Sequence, residues 1–135
     1  MRIILSLIIL IILAACGGSG SATGKQLSGS DSLVINFNTP QTSNIAKTVN
    51  TTDSRAIKKL INYVDGKTAD SYKCGYDGNL MFYKKGMLLG DVSFNYSMDS
   101  CRHFIQMNDD KLNLTVMSNE AADFLKSLAE GKEWY

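Results

Sequence analysis

A chain of 135 residues that is 44% hydrophobic, with 14 basic and 13 acidic side chains, has the length for one small domain and carries no charge excess. Near-neutrality without a basic stripe or an interleaved aromatic cluster speaks against a nucleic-acid partner. One histidine and three cysteines leave a metal centre short of ligands. The sequence also lacks a phosphate-cradling glycine loop, a nucleophile elbow and a dinucleotide fingerprint, so it assigns no catalytic residue, no cofactor and no metal.

Residues 1–16 read MRIILSLIILIILAAC. Arg2, the aliphatic run Ile3 to Leu13 and the small pair Ala14-Ala15 follow the charged, apolar, small-residue order of a secretory signal. The run is shorter than the roughly 20 apolar residues that a spanning helix needs, so cleavage is expected rather than spanning. The ending Leu13-Ala14-Ala15-Cys16 resembles the lipobox of bacterial lipoproteins. That resemblance implies removal of residues 1–15, attachment of palmitate-like acyl chains at Cys16, and a mature chain held to an envelope membrane through its N-terminal lipid. Each buried methylene contributes about 0.8 kcal/mol, and more than one chain makes attachment durable. Gly17 stands where an aspartate would resemble an inner-membrane retention signal, so in a cell with two membranes the implied place is the outer membrane, facing the periplasm. Losing Arg2 leaves 13 basic against 13 acidic residues, a neutral mature chain.

Residues 17–32, dominated by glycine and serine, read as a flexible tether with an end-to-end distance of about 22 Å. Residues 33–135 then form a single small domain. Leu33, Ile35 and Phe37 alternate with less apolar neighbours over 33–38 and predict a strand. The polar stretch 39–52, with Pro40, reads as a loop. Ile57, Leu60, Ile61 and Val64 repeat at helical spacing between an Asp53 N-cap and Gly66. Strands are predicted near 70–74, 79–84, 87–96, 101–107 and 111–117, where the period drops to two and turn residues recur. Ala121, Phe124, Leu125 and Leu128 mark a last helix between Ser118 and Gly131. The predicted fold is α+β: an antiparallel meander of four to five strands between two amphipathic helices, one before and one after it, with a single disulfide.

The turns set an expected register. A three-residue loop at Lys84-Lys85-Gly86 places Phe82 opposite Leu88 and Leu80 opposite Gly90, on the side that carries Val92 and Phe94. A two-residue turn at Asp109-Asp110 places Met107, Ile105 and His103 opposite Leu112, Leu114 and Val116. Each hairpin thereby gathers its apolar residues on one face.

Cys74 and Cys101 remain after Cys16 takes the lipid, and in an oxidising exported location they are expected to pair. Closing that loop is worth roughly 3 to 4 kcal/mol. Cys101 and His103, two apart on a strand, could suggest a thiol and its base, but a bridged sulfur cannot attack, and His103 reads as a buried histidine beside the disulfide. The acids Asp65, Asp70, Asp77, Asp109 and Asp110 fall mostly in turns, where their role is conformational. Three formal glycosylation triplets, starting at Asn50, Asn95 and Asn113, are discounted in a bacterial lipoprotein.

The second face of the sheet carries Met81, Tyr83, Met87 and Leu89, continued by polar Asp91, Ser93 and Asn95. Either a helix or the 33–38 segment covers it, or it is an adaptable methionine-containing contact patch for an envelope protein or a small ligand, extended by Arg102 and Phe104. Trp134 and Tyr135 fold back on the domain or join that contact. Size, anchor and Ser71-Tyr72-Lys73-Cys74 before a strand resemble the periplasmic lysozyme-inhibitor lipoproteins, which implies inhibitor-like binding. The leading expectation is therefore a non-catalytic binding or accessory module of the cell envelope. A hydrolase of envelope polymers using turn carboxylates and a purely structural envelope component are the competing expectations.

Overall fold

The computed structural model describes residues 21–70 and 73–134; the segment 1–15 expected to be a signal, the expected lipidation site Cys16, and Tyr135 lie outside them. The elements in chain order are α1 (Ala22–Leu27), β1 (Ser32–Asn38), β2 (Ile45–Thr51), α2 (Ser54–Val64), β3 (Gly78–Lys84), β4 (Met87–Asn95), a single 3-10 turn (Asp99–Cys101), β5 (His103–Asn108), β6 (Lys111–Val116) and α3 (Asn119–Ala129). All six strands form one antiparallel sheet in the order β2-β1-β3-β4-β5-β6. The α+β class, the two amphipathic helices and the disulfide stand as expected, with six strands rather than four to five.

Two elements that composition concealed account for the difference in outline. Residues 45–51, expected as loop, are the edge strand β2, whose side chains alternate between half-buried and exposed. Lys47 points inward there, and its Nζ donates to the carbonyls of Leu128 and Ala129 at 2.9 and 3.1 Å. A cation on the last carbonyls of α3 satisfies groups that the helix itself leaves unpaired, so a residue that looks like surface polarity is a cap. Residues 22–32, assigned to the tether, are also folded. Ser21 caps α1 by accepting from the Gly24 N–H, and Leu27 is fully buried. One leucine in a small-residue stretch leaves little periodic trace. It is nevertheless enough to pin six residues against the core.

Of the expected strand at 70–74, residues 71 and 72 lie outside the described residues, and Asp70, Lys73 and Cys74 are not in a strand. The segment just before it does the pairing instead. Val116 N–H donates to Lys67 O, Ala69 N–H donates to Leu114 O, and Thr68 bridges Thr115, which covers the outer edge of β6.

The helices form where their caps and periodicity place them. Asp53 accepts from the backbone N–H of Arg55 and Ala56 at 2.8 and 3.3 Å, and α2 buries Ile57, Leu60, Ile61 and Val64. Ser118 caps α3 through the Ala121 N–H, and Ala121, Ala122, Leu125 and Leu128 are buried. All three helices lie on one face of the sheet, over Leu33, Ile35, Phe37, Leu80, Phe82, Val92, Phe94 and Phe104. Trp134 folds back beside Phe124, ring centroids 6.3 Å apart.

The two hairpins differ from expectation in different ways. At the first, Lys85 and Gly86 both have positive φ, 48° and 78°, which makes a two-residue turn of the type that matches strand twist and pairs Lys84 with Met87. A bulge then follows, so that Phe82 lies opposite Gly90 and Leu80 opposite Val92. The bulge returns both apolar residues to the core face, where Gly90 leaves room: a Cβ there would stand 2.6 Å from Leu27 Cδ2 and 2.8 Å from Gln106 Nε2. At the second, Asp109 and Asp110 form the expected two-residue turn, and His103, Ile105 and Met107 pair with Val116, Leu114 and Leu112 as expected. The face is the surprise. Phe94 pairs with Phe104 and Val92 with Gln106, so Phe104 and Gln106 go to the core, and the alternating apolar set of this hairpin lies on the other side.

The disulfide Cys74–Cys101 is formed, with Cα atoms 6.1 Å apart and a sequence separation of 27. It pins the irregular stretch 73–77 over one end of the second face. There Asn95 Nδ2 donates to Gly75 O at 2.8 Å, and Tyr76 lies against the His103 ring at 6.1 Å.

Candidate functional site

The uncovered face of the sheet is divided into two unlike halves. Across β2, β1, β3 and β4 runs a ladder of polar side chains: Thr48 Oγ1 donates to Asn36 Oδ1 (2.8 Å), Asn36 Nδ2 to Asn79 Oδ1 (3.1 Å), and Asn79 Nδ2 to Asp91 Oδ1 (2.7 Å). Each donor meets an acceptor on the neighbouring strand, so this half is self-satisfied and ordered. Across β5, β6 and the end of β4 the side chains are apolar. Leu88, Met107, Leu112 and Val116 expose 51%, 62%, 52% and 43% of their surface, and none of the described helices lies over them. A contiguous apolar group of this kind on a small domain marks a contact surface.

Between the halves runs a groove of about 490 Å³, walled by Leu89, Ile105, Met107 and Leu112, with Asp91 and Ser93 on its polar side and Tyr76 and Gln26 among its lining residues. Its origin is a local failure of pairing. β4 and β5 are registered only from Val92↔Gln106 to Asn95↔His103, and beyond that the strands part. Gln26 of α1 bridges the gap, donating from Nε2 to Leu89 O at 2.7 Å. Gln106 donates weakly to Gln26 Oε1 at 3.5 Å, and its own Oε1 is buried without a partner among the described residues. An unsatisfied buried acceptor costs about 1–3 kcal/mol, so this gap is a place where the fold is imperfectly closed.

The residues singled out from sequence distribute unevenly over this face. Met81 and Tyr83 are half-buried on it, the Tyr83 hydroxyl donating to Met81 Sδ at 3.7 Å. Met87 is 71% exposed at the hairpin tip, and Leu89 is in the groove wall. Phe104 is not on this face: it is 1% exposed and belongs to the core, a correction that follows from its pairing with Phe94. Arg102 is also elsewhere. Its guanidinium donates to Tyr96 O and Asn119 Oδ1 and pairs with Asp99, tying the start of β5 to the start of α3. Sequence reasoning missed Ile105, Met107 and Leu112 as surface residues. Their alternation was visible, but it was assigned to the wrong side.

The groups with chemical potential are placed apart. Cys101 is bridged, and His103, 1% exposed, is hydrogen-bonded through Nδ1 to Cys101 O. Asp77 accepts from Tyr96 N–H, Ser97 N–H and Ser97 Oγ, and Asp65 accepts from Ser21 N–H. Asp109 and Asp110 sit at positive φ in their turn. The groove itself is lined by one carboxylate, Asp91. Among the described residues no three Cys, His, Asp or Glu side chains gather where they could hold a metal ion, and no helix is long and apolar enough to cross a membrane.

Tyr63 is perturbed outside this face. Burial, with its hydroxyl donating to Glu120 at 2.7 Å, pushes its phenol upward from the usual value of 10.0. That group ties α2 to α3 and plays no part in the groove.

No family model, characterised protein or solved structure matches this chain. Its function is therefore argued from the face itself.

Proposed function

We propose that this chain is a lipid-anchored protein of the bacterial cell envelope, held to a membrane through Cys16 after removal of residues 1–15, and that it works by non-catalytic binding as an adaptor or inhibitor-like module. Its contact surface is the apolar half of the uncovered sheet face with the adjoining groove. The observation that carries this is the outward turn of a whole hairpin's apolar set, Ile105, Met107, Leu112 and Leu114, on a face that no helix covers. Removing such side chains from water favours association by about 25 cal/mol per Å² of apolar area before the costs of association are subtracted. The Cys74–Cys101 disulfide supports an oxidising compartment, and in a cell with two membranes the outer membrane facing the periplasm is the place the sequence favours. The occupant is an envelope protein or a small ligand.

The test combines two measurements on protein from its own cells. Intact mass is expected to show acyl chains on a chain beginning at Cys16; an unacylated N-terminus overturns the anchor. A photo-cross-linking residue placed at Leu112 is expected to give one discrete adduct, lost in Met107→Asp, while the same residue at Asp123 gives none. Adducts of equal yield from both positions would overturn the contact surface.

A further inference from the structure

The folding of residues 21–27 changes what the anchor can do. Between Cys16 and Ser21 stand four residues, Gly17-Gly18-Ser19-Gly20, a stretch that spans at most about 18 Å extended and about 12 Å as a glycine-rich coil. Ser21 is fixed at the far end: its N–H donates to Asp65 Oδ1 at 2.9 Å, at the C-terminal end of α2, and two residues on, Thr23 Oγ1 accepts from Asn113 Nδ2 at 2.6 Å. The point where the leash joins the domain, Ser21, thus lies in the helical layer, on the side of the sheet opposite the uncovered face. A domain of this size has a radius of gyration of about 13 Å. So short a leash keeps the helical layer within reach of whatever surface carries the lipid, and leaves the docking itself to the charge on that layer.

The α1–α2 part of that layer has the charge for it, whereas α3 carries Glu120 and Asp123 against Lys126. α1 and α2 contain Lys25, Arg55, Lys58 and Lys59 and no acidic residue within either helix. Arg55 is paired with the capping Asp53, and Lys59 lies 4.2 Å over the Phe124 ring. Lys25 and Lys58 are exposed and have no ion-pair partner among the described residues. They flank a groove of about 540 Å³ between α1 and α2, with Ile57 and Ile61 among its lining residues, Ser28 and Asn62 beside the lysines, and one carboxylate, Asp65, which accepts from the Ser21 N–H. Ile57 and Ile61 are buried in the core, so what the groove offers a membrane is its two lysines, which suit a surface of anionic headgroups.

We infer that the α1–α2 groove rests on an anionic phospholipid surface, with Lys25 and Lys58 meeting headgroup phosphates, and that this turns the uncovered sheet face away from the membrane. The inference rests on the lipid anchor at Cys16. It assigns the two sides of the sheet to two partners: the helices to lipid, the open face to the envelope's interior.

With Cys16 acylated and the other two cysteines bridged, Asn62→Cys or Leu112→Cys adds a single labelling site for an environment-sensitive fluorophore. The full-length protein, extracted from membranes, is reconstituted in vesicles of phosphatidylcholine with or without phosphatidylglycerol and titrated with an aqueous quencher. The label at 62 is expected to be shielded on the anionic vesicles only, and the label at 112 to stay accessible on both. In Lys25→Gln and Lys58→Gln the ratio of docked to free domain should fall about fivefold per lysine, with the acyl mass unchanged. Equal quenching at 62 on both vesicles, or shielding at 112, overturns the docking and leaves the anchor standing. Absence of the acyl mass overturns the anchor, and is read from the mass alone.

Discussion

The hairpins β3–β4 and β5–β6 have the same kind of two-residue turn, yet they bury opposite kinds of surface. The first places Leu80, Phe82, Val92 and Phe94 under the helices, and the second places Ile105, Met107, Leu112 and Leu114 on the open side. Within each hairpin, the turn and the alternation determine which residues share a face. Neither determines which face that is. The decision is made by the pairing of β4 with β5, where Phe94 meets Phe104. A bulky aromatic at 104 gains more by burial against the core than the flexible methionine at 107 loses by exposure.

The largest effect expected from breaking this difference is at position 104. Phe104→Ala should cost about 3–5 kcal/mol in denaturant unfolding, whereas Leu112→Ala, a residue of comparable hydrophobicity on the other side, should cost less than about 0.5 kcal/mol. Similar costs for the two would mean that the open face is covered in the folded chain. Next comes the disulfide, which clamps the stretch 73–77 over the end of the open face. Replacing both cysteines by serine should lower stability by about 3.5 kcal/mol in the loop-closure account and should deprotect the backbone around Tyr76 in hydrogen exchange.

A smaller effect is expected where the first hairpin meets α1. Gly90→Ala would press on Leu27 and Gln106, costing about 1–3 kcal/mol, and chemical shifts of Gln26 should move with it. The turns themselves differ in a measurable way: Gly86 suits its left-handed conformation, but Asp110 adopts φ 62° with a side chain. Asp110→Gly should raise the midpoint of unfolding by relieving about 1 kcal/mol of backbone strain, part of it offset by chain entropy. A loss of stability there would argue that the turn is held by more than its own geometry.

Acid provides the gentlest comparison, because it reaches the N-terminal cap of α2. The Arg55 side chain and the α2 backbone N–H groups hold Asp53 at about 2, below its usual 3.8. A depressed folded-state value means that this cap stabilises above pH 3.8 and is lost as pH falls through about 2. Helical signal from α2 should fade in that window in the native chain and be insensitive to it in Asp53→Asn.

Much of this was legible in the sequence because it is local. The caps at Asp53 and Ser118, the helical spacing of Ile57 to Val64, the two-residue turn at Asp109-Asp110 and the pairing Met107–Leu112 all depend on contacts within a few residues or across one turn. The cysteine pairing followed from counting. The contact patch was half legible: Met81 and Tyr83 lie on the second face as expected and Leu89 reaches the groove, while Met87 pairs with Lys84 and shares its side, Phe104 goes to the core, and Ile105, Met107 and Leu112 were left out. Lys47 and Leu27 were hidden for another reason, since one side chain in a polar stretch gives no period to detect.

By itself, then, the sequence indicated both amphipathic helices, the Asp53 cap, five of the six strands and the second turn's register, each a matter of neighbouring residues. Tertiary structure alone decided which side of the sheet the helices take, that a lysine of β2 closes α3, and that the chain after Gly20 is folded rather than free. Those outcomes depend on strands far apart in sequence competing to bury their larger side chains, and no local pattern records which of two faces wins.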